Sequence, residues 1–191
     1  EGVLEILDGD GSVGAQLAGA DVDVVAHVGS SATGRAIALE CARTGARAVL
    51  ENGGNDPLIV DEGVDPAWAA EQAALGAFAN AGQICVSVER IYCHAALADP
   101  FLAALTAEAR AWQDRLGPLV DRRQRDHVHS HVADALAAGA RALTGGEVPD
   151  GQGTYYPPTV LSGCTPRMRV MREETFGPVA PVRVVPDFDI A

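Results

Sequence analysis

Two residues of this sequence have the right type and setting to make and break bonds. Cys85 closes the stretch Asn80-Ala81-Gly82-Gln83-Ile84-Cys85, just past a glycine-broken helical segment, a position that can expose a thiol. Glu51, in Leu50-Glu51-Asn52-Gly53-Gly54-Asn55-Asp56-Pro57, sits at a strand end beside a Gly-Gly turn, where a carboxylate is well placed to act as a base. Taken singly, each also has an ordinary reading: a surface carboxylate, and a small core hydrophobe.

Glycine-rich junctions form the second group. Gly29-Ser30-Ser31-Ala32-Thr33-Gly34 leaves an apolar strand and opens a helix, so its backbone N–H groups and Ser30 can face an anion. Gly9-Asp10-Gly11-Ser12-Val13-Gly14 satisfies the dinucleotide pattern GxGxxG, but Asp21 and Asp23 come too early for the acid that should follow a second strand. An ordinary strand-to-helix turn satisfies the same pattern. In Asp126-His127-Val128-His129-Ser130-His131 only His127 and His131 share a helix side, and no cysteine or carboxylate set completes four ligands. No metal is expected there, and the histidines read as a solvated helix flank.

The elements that must hold these residues follow the rhythm of an α/β protein. Strands are expected over 22–28, 46–50, 57–60, 87–94, 159–161 and 179–185, and the apolar residues 3–7 look strand-like. Helices are expected over 35–43, from Asp65-Pro66 through Trp68, Leu75 and Phe78 towards Gly82, and from Asp99-Pro100 with Phe101, Leu105, Trp112 and Leu116 on one face. A further helix carries Val128, Val132 and Leu136 and stops near Gly139. The chain closes at Asp187-Phe188-Asp189-Ile190-Ala191, where an aspartate is ready to cap a helix.

Composition narrows the function classes. The 191 residues carry 14 basic side chains, all arginine, against 26 acidic ones, for a net charge of −12. With no lysine, Schiff-base, pyridoxal-phosphate and Walker-A chemistry cannot come from this chain. The acidic balance argues against a nucleic-acid groove and a polybasic membrane patch. No apolar run approaches a membrane span and no signal peptide is visible. The cysteines, Cys41, Cys85, Cys93 and Cys164, form no CxxC pair, so a reducing, cytoplasmic setting is expected.

Together the stretches GSSATGRAI, LENGGNDP, NAGQICVSVER, GPLV, GARALTGG, YYPPTVL and MREETFGPVAPV resemble the aldehyde dehydrogenase superfamily, in that family's order and with its spacing from Glu51 to Cys85. The resemblance implies an α/β fold: the end of a Rossmann-like cofactor domain over 1–50, then most of an α/β catalytic domain over 51–191. It implies Cys85 as nucleophile and Glu51 as base, with NAD or NADP as cofactor. Gly29 and Ser30 would lie at the cofactor phosphates with Gly34 inside that turn, Glu174 would bind the nicotinamide ribose, and Phe176 would pack by the nicotinamide. GDGSVG would be a helix-leading turn. The implied activity is oxidation of an aldehyde to its acid through a cysteine thiohemiacetal and thioester, in a full-length homodimer or homotetramer. A CoA-acylating semialdehyde dehydrogenase is the second enzyme reading, and Glu51 disfavours it. A non-catalytic fragment with a structural or interaction role is the reading from another class. Asn52 departs from the usual small apolar or hydroxyl residue beside the base, and His27-Val28 from the usual Phe-Thr. The family's N-terminal half, with an oxyanion-hole asparagine and a cofactor-contacting lysine, is absent, so the chain alone is expected to be incomplete and inactive.

Overall fold

The computed structural model describes residues 2–151, 153–187 and 189, and the chain divides into two compact units, Glu1–Gly53 and Gly54–Ala191. The first unit contains helix α1 (Gly11–Ala18), strand β1 (Val24–Gly29), helix α2 (Ser31–Thr44) and strand β2 (Arg47–Asn52). Asp10 caps α1, its carboxylate accepting from the Ser12 N–H at 2.9 Å, so GDGSVG is a helix-leading turn. Residues 4–10 take no regular structure, contrary to their strand-like pattern. A strand needs a ladder partner, and none is present here among the described residues, which leaves Val3, Leu4 and Ile6 exposed. Strands β1 and β2 pair in parallel with α2 as the crossover, and the register sets Val28 against Glu51 and Gly29 against Asn52.

The second unit is built on a five-stranded sheet of order β3-β4-β7-β6-β5, comprising β3 (Asp56–Val60), β4 (Val88–His94), β5 (Arg141–Thr144), β6 (Thr159–Ser162) and β7 (Val179–Val185). All neighbours are parallel except the β5–β6 edge. Its helices are α3 (Pro66–Phe78), α4 (Ala98–Trp112) and α5 (Arg122–Ala137). The period-two alternation of strand side chains divides the core. Ile91, Cys93, Val160, Ala180 and Val182 join the face covered by α3 and α4, where an alanine row (Ala70, Ala73, Ala74, Ala77) lets the helices approach closely. Tyr92, Leu161, Val179 and Val185 point the other way, into a cluster with Val128, Val132 and Ala135 of α5.

Several boundaries move for physical reasons. Helix α4 begins at Ala98, continuing out of a 3-10 turn over Ala95–Leu97, so Asp99 lies in the first turn, where its charge suits the helix dipole, and is not the cap. Helix α2 begins at Ser31, placing Gly34 within its first turn. Strand β5 was not expected: it is short and is defined by antiparallel pairing with β6. Of the closing stretch where an aspartate is expected to cap a helix, Asp187 and Asp189 are described and lie outside any helix, while Phe188, Ile190 and Ala191 lie outside the described residues. Among the described residues no helix is long and apolar enough to cross a membrane.

Candidate active site

In the first unit the two parallel strands deliver Gly29-Ser30 and Glu51-Asn52 to the same carboxyl end of the sheet. Ser30 caps α2, its Oγ accepting from the Thr33 N–H at 3.2 Å, and Gly34 N–H donates to the Ser30 carbonyl at 2.9 Å. The N–H groups of Ser31 and Ala32 therefore remain without a partner inside the helix, the arrangement that receives an anionic group. A Cβ at Gly34 would run into the Asn52 amide, so this glycine lets α2 lie close on the end of β2. Glu51 is exposed at that end, and the neighbouring Asn52 side chain is directed onto Gly34.

Cys85, in the second unit, is the only exposed cysteine among the described residues: Cys41 of the first unit and Cys93 and Cys164 of the second are 2%, 0% and 4% exposed. Burial also pushes the thiols of Cys93 and Cys164 up to about 11 and about 12, which removes them as nucleophiles at neutral pH. The turn that presents Cys85 is unusual. After α3, Asn80, Ala81 and Gly82 all adopt left-handed φ (49°, 56° and 69°), and a Cβ on Gly82 would overlap the Gly177 carbonyl. Gln83 anchors the turn on both sides: its amide donates to the carbonyls of Asn80 and Pro118, and its Oε1 accepts from the Val120 N–H at 2.9 Å.

The segment Glu173-Glu174-Thr175-Phe176-Gly177 lies near this turn. The Gly54 N–H donates to Glu174 Oε1 at 3.3 Å, and a Cβ on Gly54 would stand 3.1 Å from the Cys85 carbonyl. Burial raises the Glu174 carboxyl above its ordinary range, opposed by the Gly54 N–H. Phe176 is half-buried with φ 50°, the third non-glycine residue in left-handed conformation among the described ones; the other two are Asn80 and Ala81. All three flank the same site, where backbone strain tends to collect. The segments 54–55, 83–87 and 174–178 lead into β3, β4 and β7, adjacent parallel strands, so this site lies at their amino ends.

Sequence reasoning missed the residues that support the segment. Glu89, 5% exposed, accepts from the N–H groups of Thr175 (2.8 Å) and Phe176 (2.7 Å) and from Asn55 Nδ2 (3.2 Å). Burial raises its carboxyl, and these donors work against that shift. Gln124 donates to the carbonyls of Thr175 and Phe176, and His127 Nε2 lies 3.1 Å from the Glu174 carbonyl. The available signal was phase: Glu89 alternates with Ile91 and Cys93 on β4, and such a glutamate faces inward.

The histidines correct an expectation. His127 and His131 do share a helix side, with ring centroids 4.4 Å apart, but the flank is not solvated: His131 is fully buried. It falls in phase with Val128, Val132 and Ala135, the α5 residues in the core. Its Nδ1 lies 3.1 Å from Thr175 Oγ1, and its Nε2 lies 3.0 Å from Arg169 Nη2 and 3.6 Å from Glu173 Oε2. Burial, then the charges of His127 and Arg169, lower its pKa to about 4, while Glu173 and Asp134 pull weakly the other way. His131 is therefore neutral at pH 7, and its approach to Glu173 is not an ion pair. Above its ordinary value near 6.5 both folded and unfolded forms are neutral and the full stability is present. As pH falls from about 6.5 to about 4 the unfolded chain takes a proton that the native state refuses, and roughly 3 kcal/mol is lost. Urea midpoints measured across this window should fall for the native sequence and flatten in His131→Gln; parallel slopes would reject the assignment.

Comparison with known proteins agrees with this architecture. The family model described as the aldehyde dehydrogenase family matches residues 1–191, and the chain belongs to that family. It is 39% identical over 199 residues to a vanillin dehydrogenase of Amycolatopsis, covering 100% of this chain and 40% of that protein. It is 37% identical over 192 residues to an NAD(P)+ succinate semialdehyde dehydrogenase of Escherichia coli, covering 96% of this chain and 41% of the relative. Among solved structures, betaine aldehyde dehydrogenase from Staphylococcus aureus in complex with NAD+ superposes with a TM-score of 0.88 at 32% identity, over 94% of this chain and 38% of that one. The chain thus spans about two fifths of the length of these relatives.

Proposed function

We propose that this chain supplies the thiol nucleophile and part of the cofactor seat of an enzyme that oxidises an aldehyde to a carboxylic acid with NAD+ or NADP+. The observation that carries the reading is Cys85: an exposed thiol presented by a left-handed, hydrogen-bonded turn, where the other three cysteines of the chain are buried. On this reading residues 1–50 end a cofactor-binding domain and 51–191 form most of a catalytic domain. By itself the chain is inactive, and the whole protein is a homodimer or homotetramer, as the resemblance implies.

The residues suit a dinucleotide. Gly29 and Ser30 lead into the free N–H groups of the 14-residue α2, which fit a phosphate, and Gly34 permits the close helix–strand packing such a site needs. Glu174 offers an acceptor-only carboxylate to a ribose diol, with Phe176 beside it for the nicotinamide. When bound, the nicotinamide accepts a hydride.

The Cys85 thiolate attacks the aldehyde carbon, and its own N–H helps hold the oxyanion that forms. The thiohemiacetal loses hydride and becomes a thioester on Cys85. Glu51 takes a proton from water, the resulting hydroxide adds to the thioester carbon, and the acid leaves as the thiolate is regenerated. A CoA-acylating enzyme would instead pass the acyl group to a second thiol. The test is the protein expressed from its complete coding sequence, assayed against a panel of aldehydes with each nucleotide, with and without CoA. Free acid with reduced nucleotide is the expected product; acyl-CoA would select the alternative, and no nucleotide reduction with any aldehyde would reject both.

A further inference from the structure

The Glu89 carboxylate does not touch the thiol turn, yet it organises the segment next to that turn. Its two oxygens separately accept the consecutive N–H groups of Thr175 and Phe176, at 2.8 and 2.7 Å. Two successive N–H groups closing on one anion form a nest, and the left-handed Phe176 belongs to it. Asn55 ties the second strand entry to the same place, its Nδ2 lying 3.2 Å from both Glu89 Oε2 and the Glu173 carbonyl. The adjacent Arg90 Nε donates to the Asn55 carbonyl at 2.7 Å. Neighbouring residues of β4 thus fix both sides of Glu174, whose Oε1 accepts from Gly54.

Stability is a poor reason for such a group. A carboxylate at 5% exposure must be desolvated, and well-packed apolar residues commonly do as well or better in that role. What a bidentate acceptor adds is geometry: it holds two N–H vectors, and through them the directions of the Glu174 and Phe176 side chains.

We propose that Glu89 is a positioning residue that fixes the Glu174–Phe176 segment as a preformed seat for the nicotinamide riboside half of the cofactor. The inference rests on the cofactor roles given above to Glu174 and Phe176. Glu89→Gln keeps the shape but replaces one acceptor oxygen by an amide that cannot accept. In the protein expressed from its complete coding sequence, the dissociation constant of NAD+ or NADP+, whichever binds, is expected to rise about tenfold by calorimetry, the worth of one charge-assisted hydrogen bond. The KM for aldehyde and the rate at which iodoacetamide alkylates Cys85 without nucleotide should stay within about twofold, a split that general loosening of the fold would not produce.

Glu174→Gln is run alongside. If it leaves nucleotide binding unchanged, the ribose role fails and the inference falls with it. If Glu174→Gln weakens binding but a folded Glu89→Gln does not, the ribose role stands and the positioning inference is overturned. Should Glu89→Gln not fold, Glu89→Asp, which keeps the charge at shorter reach, takes its place under the same outcomes. Failure of both to fold would assign Glu89 to stability alone and overturn the inference.

Discussion

Replacing Cys85 by alanine in the protein expressed from its complete coding sequence is expected to lower the proposed aldehyde oxidation by at least about 10⁴-fold, because on the proposed mechanism no covalent intermediate can then form. Cys41, Cys93 and Cys164 are buried, and burial keeps the last two protonated at neutral pH, so no second thiol is available to substitute. The fold should tolerate the change: Cys85 is exposed, and the turn is held by the Gln83 side chain and by the Gln83 N–H donating to the Asn80 carbonyl. Nucleotide affinity should therefore survive, which separates loss of the nucleophile from loss of structure. Oxidation at native rates in Cys85→Ala would end the proposed mechanism.

Glu51→Gln is expected to act later in the cycle. In the proposed mechanism hydride leaves the thiohemiacetal before water attacks the thioester, so removing the Glu51 carboxylate should spare the first event and stall the second. Steady-state turnover should fall by roughly 10²–10⁴-fold, the usual worth of a positioned general base. Rapid mixing should still show a burst of reduced nucleotide approaching one equivalent per Cys85. The acyl-enzyme should then be visible as added mass on the peptide containing Cys85. A variant lacking the burst would place Glu51 before hydride loss, and one with native steady-state turnover would remove it from the reaction. Asn52, whose amide lies over Gly34 in the first turn of α2, occupies the β2 position next to Glu51.

The sequence was most legible where local chemistry decides structure. The β-branched runs of β1, β4 and β7 and the Asp65-Pro66 start of α3 announce themselves, because a strand period and a cap are written in adjacent residues. Cys85 stood out because glycine interrupts the helix before it. Long-range pairing was harder to read: β5 exists through β6, and residues 3–7 lack a strand partner despite the right pattern. His131 and Glu89 were missed for a different reason. Both sit in phase with core residues, Val128 and Val132 in one case, Ile91 and Cys93 in the other, but polar side chains are discounted when a core is read from hydrophobicity. Inward polar residues become informative once their partners are known, and those partners, Thr175 and Phe176, are far away in the chain.

The left-handed run Asn80-Ala81-Gly82 bears directly on engineering. Only the last of the three is glycine, and a non-glycine residue in that region costs of order 1 kcal/mol or more. Glycine at Ala81 would relieve this in the native state while enlarging the freedom of the unfolded chain, two effects of opposite sign. Screens that rank variants by heat resistance will therefore find Ala81→Gly nearly neutral, and will reject any side chain at Gly82, whose Cβ would overlap the Gly177 carbonyl. On the proposed mechanism, screens that rank them by turnover will find the turn intolerant, because the same three residues lead directly into Gln83-Ile84-Cys85.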